Sequence, residues 1–502
     1  MEFFTNLMNS VNGIIWSTAL VALCLGAGLY FSIRMGFPQF RLFKEMVRLL
    51  TAQNKSSDGI TPFQAFAATV GARVGMGNIA GVATAIFFGG PGAVFWMWCI
   101  ALIGAGSAFI ESSLAQAYKT TSDGVYIGGP AYYIEKGLKC KPYAIVFAIA
   151  TVLGPGILMP GLHIYSIATT FNNAFGVNMI VTGVIFVAVL GLVIFGGIKR
   201  IGKTAEFMAP IMCIIYVGLA LVVIGLNITK VPEVFVLIFS SAFAIKPAFA
   251  AIVGSAIAWG VKRGIYSNEA GQGSGAIISA SAECSHPAKQ GLIQAFSVYI
   301  DTLVVCSASA FIILLTGSYN VQGVDGNMIV SNIPTIQYGV SWAQSALSSA
   351  LGAWSGKLLA IIIIMFVFTS LMGYYYQAES NMVYLFKNKK WAKPLIRTIF
   401  LASTFSGVLV NGEIIWSMGD TGAGMMAWLN IIAIVLLSKK GFAILKDYED
   451  QKKLGLDPVF DPEKFGIIDE AGVWDKWKNQ NQEKVHQHDH QQAPKKEIKI
   501  GQ

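Results

Sequence analysis

The chain has 502 residues, of which 54% are hydrophobic and 13% charged, with a formal net charge of +9 and a mean hydropathy of +0.59. That is more apolar surface than one soluble core can bury, so the composition excludes a single soluble domain and implies a polytopic membrane protein. The excess charge sits in short loops between apolar runs, which relates it to membrane topology and anionic lipid rather than to nucleic acid.

The start, MEFFTNLMNSVNG, lacks the basic n-region and small-residue cleavage site of a signal peptide, so the first apolar run is expected to remain as a span. Runs of the length needed to cross a bilayer, about 20 residues, lie near 12 to 34, 62 to 88, 91 to 117, 144 to 171, 178 to 197 and 205 to 226. Others follow near 245 to 282, 290 to 316, 357 to 386, 395 to 411 and 419 to 438, which predicts an all-α protein of 11 transmembrane helices. Lys and Arg enrich short cytoplasmic loops. Loop one holds Arg34, Arg41, Lys44, Arg48 and Lys55; loop three Lys119, Lys136, Lys139 and Lys141; loop five Lys199, Arg200 and Lys203. Loop nine repeats the pattern with Lys387, Lys389, Lys390, Lys393 and Arg397, and Lys439 with Lys440 follow the last run. The even-numbered loops are nearly bare, so the N-terminus is expected outside and the C-terminus in the cytoplasm.

Residues 41 to 58 place Leu42, Phe43, Met46, Leu49 and Leu50 at helical spacing among basic residues, the pattern of an interfacial helix. The segment 318 to 356 is the longest extracellular connection and reads as a cap over an outer vestibule. Six cysteines are scattered without a C-x-x-C pair and suggest no disulfide framework. From residue 441 to 502 the chain is charged and Gln/Lys-rich, a cytosolic polar tail expected to be disordered. Its HQHDH run at 486 to 490 reads as a solvated histidine cluster rather than a metal site.

Two runs are interrupted: the second by GARVGMGNIAG, residues 71 to 81, and the seventh by AWGVKRGIYSNEAGQGSG, residues 258 to 275. Glycine inside a helix costs about 1 kcal/mol relative to alanine, so Gly71, Gly75, Gly77 and Gly81 serve either close helix packing or an unwound turn. The two runs open consecutive groups of five and enter the membrane from opposite faces. That is the arrangement of an inverted repeat whose broken first helices share a midplane site. An unwound turn offers carbonyls to a cation and amides to a carboxylate, which suits a zwitterionic amino acid together with Na+. Asn78 is placed to join either the cation shell, the substrate or an interhelical hydrogen bond. In VFTSLMGYYYQAESN of the ninth run, Thr369 and Ser370 are adjacent hydroxyls that can serve Na+ as hard oxygen ligands or bond back to their own helix. Intramembrane charges are expensive and usually paired; Arg73, Glu111, Glu206, Arg263, Glu269, Asp301 and Glu379 are such groups. Arg73 could hold a substrate carboxylate or, with Glu269 and Asp301, form a structural or gating charge cluster. His163 is placed to face substrate, carry a proton or pack by a hydrogen bond. No P-loop, H-E-x-x-H or G-x-S-x-G signature is present, so the chain is not expected to be an enzyme.

The segments GARVGMGNIAGVATAIFFGGPGAVFWMW, GGPAYYIEKGL, WGVKRGIYSNEAGQGSG, HPAKQGL, YIDTLVVC and YYYQAESN occur in that order, and over residues 12 to 440 the chain resembles the alanine or glycine:cation symporter family. The resemblance implies a Na+-coupled, sometimes H+-coupled, amino-acid symporter of the plasma membrane. It also implies the inverted five-plus-five helix fold of neurotransmitter:sodium symporters with one extra N-terminal span. The membrane domain would then cover 1–440, with the extra span at 12–34, repeat one at 62–226 and repeat two at 245–438. By similarity, Gly71, Val74, Thr369 and Ser370 become the Na+ site, and Gly75, Met76, Gly77, Asn78, His163, Trp259 and Gly260 the substrate site. Met76 stands where the family usually has Thr, and Leu162 to Tyr165 where it usually reads V-Q-x-N, so the pocket is changed in volume and hydrogen bonding. The implied partners are an amino acid of alanine or glycine type, Na+ as the coupling ion and the bilayer, with a monomer as the simplest assembly. A proton-coupled or glutamine-type carrier of the same fold, and an ion channel, are the alternatives.

Overall fold

The computed structural model describes residues 2–51, 56, 58–387, 389–410 and 412–477, and each predicted run contains helix. Among the described residues, seven helices are long and apolar enough to cross a membrane, or up to eight if the bent pair Pro62–Arg73 and Gly77–Gly89 is one span. The remaining predicted spans exist as shorter pieces. Met179–Ile194 has 16 residues, Ala392–Ser406 has 15, and the seventh run is divided into Val253–Asn268 and Ser274–Ala280. The chain is a helical, multi-pass membrane protein.

Both interruptions are real breaks, made by different backbone devices. Thr61 and Gln64 form a reciprocal capping box at the start of Pro62–Arg73, with both hydrogen bonds at 3.1 Å. That helix stops at Val74, whose extended backbone (φ −72°, ψ 93°) leaves the helical ladder, and the chain resumes through a π turn at Gly77–Gly81 with a bend of 49°. The second broken helix stops at Glu269 in the left-handed conformation (φ 55°), then passes Gly271 and Gly273 at φ of 86° and 82°. Glycine is suited to these two positions because they combine left-handed backbone with close neighbours. At the ends away from the breaks, Ile60 and Ala282 form a parallel bridge that ties the two broken helices together.

The connection 318 to 356 forms a small hairpin, Asn320–Gln322 with Met328–Ser331, followed by the helix Val340–Leu351. Its residue Tyr338 stacks on Phe87 (4.6 Å between ring centroids) and packs edge-on against Phe88 (5.4 Å). The interfacial pattern is realised as Phe43–Thr51, with Met46 and Leu49 buried.

The expectation of an unstructured tail from residue 441 fails for the described part of that tail. Ser438–Lys453 is a helix, and Tyr448, Phe460 and Trp474 are each 0–1% exposed. Its polar composition misleads because the segment builds no core of its own: its few large apolar residues pack on the surface already made by the membrane domain. Polar ties fix it there. Tyr448 donates to Glu45, Arg41 pairs with Glu449 (2.8 Å), and His286 Nε2 lies 3.2 Å from Asp447. Phe460 N donates to the Ser285 carbonyl (2.9 Å), and Lys476 bridges Asp58 (3.1 Å) and Glu283. The HQHDH run lies outside the described residues. Trp474→Ala is expected to cost about 3–5 kcal/mol of docking energy. Amide hydrogen exchange over residues 441–477 should then accelerate by at least about 100-fold.

Candidate functional site

The first break lies against the middle of the long helix Ala353–Phe386. A Cβ on Gly71 would come 2.9 Å from the Cβ of Thr369, and one on Gly75 would come 2.4 Å from Ser370 Oγ. The glycines are therefore demanded by contact, and the contact places both hydroxyl residues at the unwound turn. Ser370 Oγ donates to the Gly71 carbonyl (3.3 Å), so a side-chain oxygen and a main-chain oxygen already converge there. Thr369 Oγ1 bonds back to the carbonyls of Met365 and Phe366 (both 3.0 Å). His163 closes the same corner. Its Nε2 lies 3.6 Å from a Cβ built on Gly75, its Nδ1 is 3.2 Å from the Met159 carbonyl, and its ring meets Tyr374 edge-on. Val74, Met76, Asn78, His163, Thr369 and Ser370 are 0–1% exposed, so the site is closed from both faces of the bundle.

Asn78 has the interhelical role. Its Oδ1 accepts from Gly75 N (2.7 Å) and so supports the unwound turn, while its Nδ2 donates to Asp301 Oδ1 (2.7 Å) and the Asp301 carbonyl (3.0 Å). Asp301, on the π-helical stretch Tyr299–Cys306, also accepts from Ser267 (2.9 Å) and Thr302 (2.7 Å). One buried carboxylate thus joins the two broken helices beside the first break, where a Cβ on Gly77 would lie 3.0 Å from Ser267 Cα. The second break has its own support. Glu111 accepts from Gly273 N (3.0 Å) and Asn430 Nδ2 (2.8 Å), and Asn430 also donates to the Gly271 carbonyl (2.9 Å).

Four of the predicted site residues are placed elsewhere. Arg73 is turned toward Gly275 and donates to Ser297 and to the Gln294 carbonyl (3.3 Å), with no carboxylate hydrogen-bonded to it among the described residues. Glu269 accepts from Ser274 (2.6 Å), so the hydrogen bonds of both Arg73 and Glu269 go to neutral groups. Gly260 faces the helix Gly92–Ala117, where an added Cβ would lie 2.5 Å from the Ala93 carbonyl oxygen. Trp259 stacks on Phe88 (4.4 Å) at the wall of a cavity of about 390 Å³. The reason is positional: the second break falls at residues 269–273, more than two turns beyond Trp259 and Gly260, so Tyr266 and Ser267 approach the first break in their place.

That cavity holds a group the sequence reading missed. Asp420 pairs with Arg263 through two hydrogen bonds (2.7 and 2.8 Å) and with Lys262 (2.7 Å), beside the rings of Trp259 and Trp416. Asp420 was legible as an acid inside an apolar run, in WSMGDTGAG. The turn between the two N-terminal helices docks on it through Trp16 Nε1, which donates to the Asp420 carbonyl (2.8 Å). At the opposite end of the bundle, a second cavity of about 280 Å³ is lined by Tyr376, Glu379, Ser380, Lys393 and Arg397. The buried site lies between these two openings.

The model of the sodium:alanine symporter family matches residues 1–462. Bacillus subtilis YrbD is 52% identical over 95% of this chain and 99% of its own length. The sodium/proton-dependent alanine carrier protein of Bacillus sp. strain PS3 is 45% identical over 86% of this chain and 97% of its own. B. subtilis GlnT, named as a probable sodium/glutamine symporter, is 44% identical over 91% and 94%. The solved structure of MhsT in complex with L-phenylalanine covers 78% of this chain and 99% of its own at a TM-score of 0.55 and 14% identity, a likeness of fold alone. With a family model and relatives that span nearly its whole length, the chain belongs to the sodium:alanine symporter family, whose members are amino-acid symporters.

Proposed function

We propose that the chain is a sodium-coupled importer of a small neutral amino acid, working by alternating access in the plasma membrane. The observation that carries this reading is the meeting of Ser370 Oγ and the Gly71 carbonyl at the unwound turn. Carbonyl and hydroxyl oxygens are the ligands a hard cation takes. Gly71, Val74, Thr369 and Ser370 would hold Na+, with Thr369 turning from its own helix to the ion. Gly75, Met76, Gly77 and His163 would line the substrate, its carboxylate on the amides of the turn and its side chain against Met76. Asn78 and Asp301 would keep the two broken helices in register. In this reading 11 spans form an inverted five-plus-five repeat with one extra N-terminal span, the N-terminus outside and the basic loops in the cytoplasm. The Arg263–Asp420 pair would close the outer route, and Glu379 with Arg397 would lie on the inner one.

A glutamine-type substrate is the second reading, favoured by His163, whose Nε2 side faces the turn and can hydrogen-bond an amide side chain. Closure of the site from both faces favours a carrier over a channel.

The deciding experiment is uptake of labelled alanine, glycine and glutamine into proteoliposomes under separate inward Na+ and H+ gradients. Accumulation of alanine or glycine driven by Na+ alone is expected. Accumulation that follows only the H+ gradient would overturn the ion assignment, and glutamine alone would favour the second reading. Thr369→Ala and Ser370→Ala should each raise the Na+ half-saturation by about tenfold, the loss of one ligand worth about 1.4 kcal/mol. Unchanged values would remove these hydroxyls from the site. Gly75→Ala should abolish uptake while the purified protein stays monodisperse, because its methyl would lie 2.4 Å from Ser370 Oγ and force it away from the Gly71 carbonyl.

A further inference from the structure

The face of the long helix that meets the first break continues toward the basic loops. Ser370, Gly373, Gln377 and Ser380 follow at intervals of three and four residues, one stripe of a helix. A Cβ on Gly373 would come 2.5 Å from the Cβ of Ala72 and 3.6 Å from Cδ1 of Ile278, so the stripe follows the seam with both broken helices. At 1.5 Å per residue, Gln377 lies about 10 Å and Ser380 about 15 Å beyond Ser370. Ser380 also lines the cavity of about 280 Å³ at the basic end.

Packing does not account for two members of this stripe. Gln377 is 0% exposed, and among the described residues neither its Oε1 nor its Nε2 has a hydrogen-bond partner; Ser380, 1% exposed, has none on Oγ. A buried polar group left unmet costs about 1–3 kcal/mol, so an apolar residue at 377 would serve the fold better than glutamine. Since both ends of the amide are unmet, exchanging its oxygen and nitrogen changes nothing. Asn78, the buried amide at the first break, has both ends in use. A cation would satisfy only Oε1, and an anion only Nε2. A ligand that carries an ammonium and a carboxylate satisfies both, with Ser380 Oγ as a further donor or acceptor.

We infer that Gln377 and Ser380 form a product-side station for a zwitterionic amino acid, between the site at Gly75 and Ser370 and the cavity at the basic loops. The inference rests on the proposed reading of the chain as an amino-acid carrier. A substrate leaving the unwound turn gives up its hydrogen bonds there, and the station replaces them before it reaches water. The cavity beyond is flanked by Glu379 with Arg397 (3.5 Å) and Lys393 with Asp123 (2.6 Å), so the station stands behind two ion pairs.

The test is Gln377→Leu in proteoliposomes, with half-saturation measured separately from each face. The labelled probe is whichever of alanine, glycine and glutamine the wild type carries fastest. Half-saturation from the basic face should rise by about tenfold, while the values for substrate from the other face and for Na+ stay within about twofold. Ser380→Ala should shift the same value in the same direction, which keeps the test in hand if Gln377→Leu does not fold. An unmoved basic-face value in both variants, or equal slowing in both directions with half-saturations unchanged as a water-lined passage would give, overturns the station. Absence of amino-acid flux in the wild type would overturn the carrier reading along with it.

Discussion

Irregular backbone at membrane depth has no water to satisfy it, and every interrupted turn must find its hydrogen bonds inside the protein. A set of buried polar residues in this chain serves that constraint. Asn78 holds the amide of Gly75 and passes the load to Asp301, and Asp301 collects Ser267 and Thr302. Glu111 and Asn430 do the same for Gly271 and Gly273. The two breaks are held by separate sets of donors and acceptors, but Asp301 links the first break to Ser267 of the second broken helix. A shift of one broken helix is therefore felt by the other without any change in its own hydrogen bonds.

Much of this was legible in the residues. Apolar runs gave the helices, and glycine with polar residues inside two of those runs gave the breaks, because both are costs a membrane helix does not carry without a use. Gly71, Gly75, His163, Thr369 and Ser370 do come together. Trp259 and Gly260 were misplaced because a glycine-rich stretch shows that a helix can break there but not at which glycine. The stop is decided by the left-handed backbone at Glu269, Gly271 and Gly273, which Glu111 and Asn430 hold from distant helices. The hydrogen-bond partners of Arg73 were not legible: order along the chain puts acids near it, whereas the fold turns it toward Gly275 and Ser297. The tail was misread because composition averages over a segment, and docking depends on a few residues such as Trp474 and Phe460 finding a surface made elsewhere.

The two ends of the bundle are closed by different chemistry. At the end that carries Gly89, Asp420 is buried between Arg263 and Lys262, and removing Asp420 would take the counter-charge from both cations. The aromatic rings around it exclude water and strengthen the pair. At the basic end, the ties are more numerous and more exposed. Lys476 alone reaches Asp58 and Glu283, which flank the bridge between Ile60 and Ala282. The docked C-terminal segment therefore spans the ends of both broken helices and adds to whatever free energy separates them.

That asymmetry bears on how coupling can work in this fold. A cation bound where Ser370 meets the Gly71 carbonyl would draw the long helix and the first broken helix together at mid-depth, and the glycines permit that approach because they carry no side chain between the two. The half at the basic end, Pro62–Arg73, is joined to the second broken helix by the Ile60 bridge and to the C-terminal segment by Lys476, so it can swing only if those ties yield. The half at the opposite end, Val82–Gly89, meets the second broken helix through the Phe88–Trp259 stack, beside the Arg263–Asp420 pair. Binding energy released at the break can thus be divided between two sets of ties of unequal strength. In the proposed reading, the order in which the ends open would then be set by residues far from the ion.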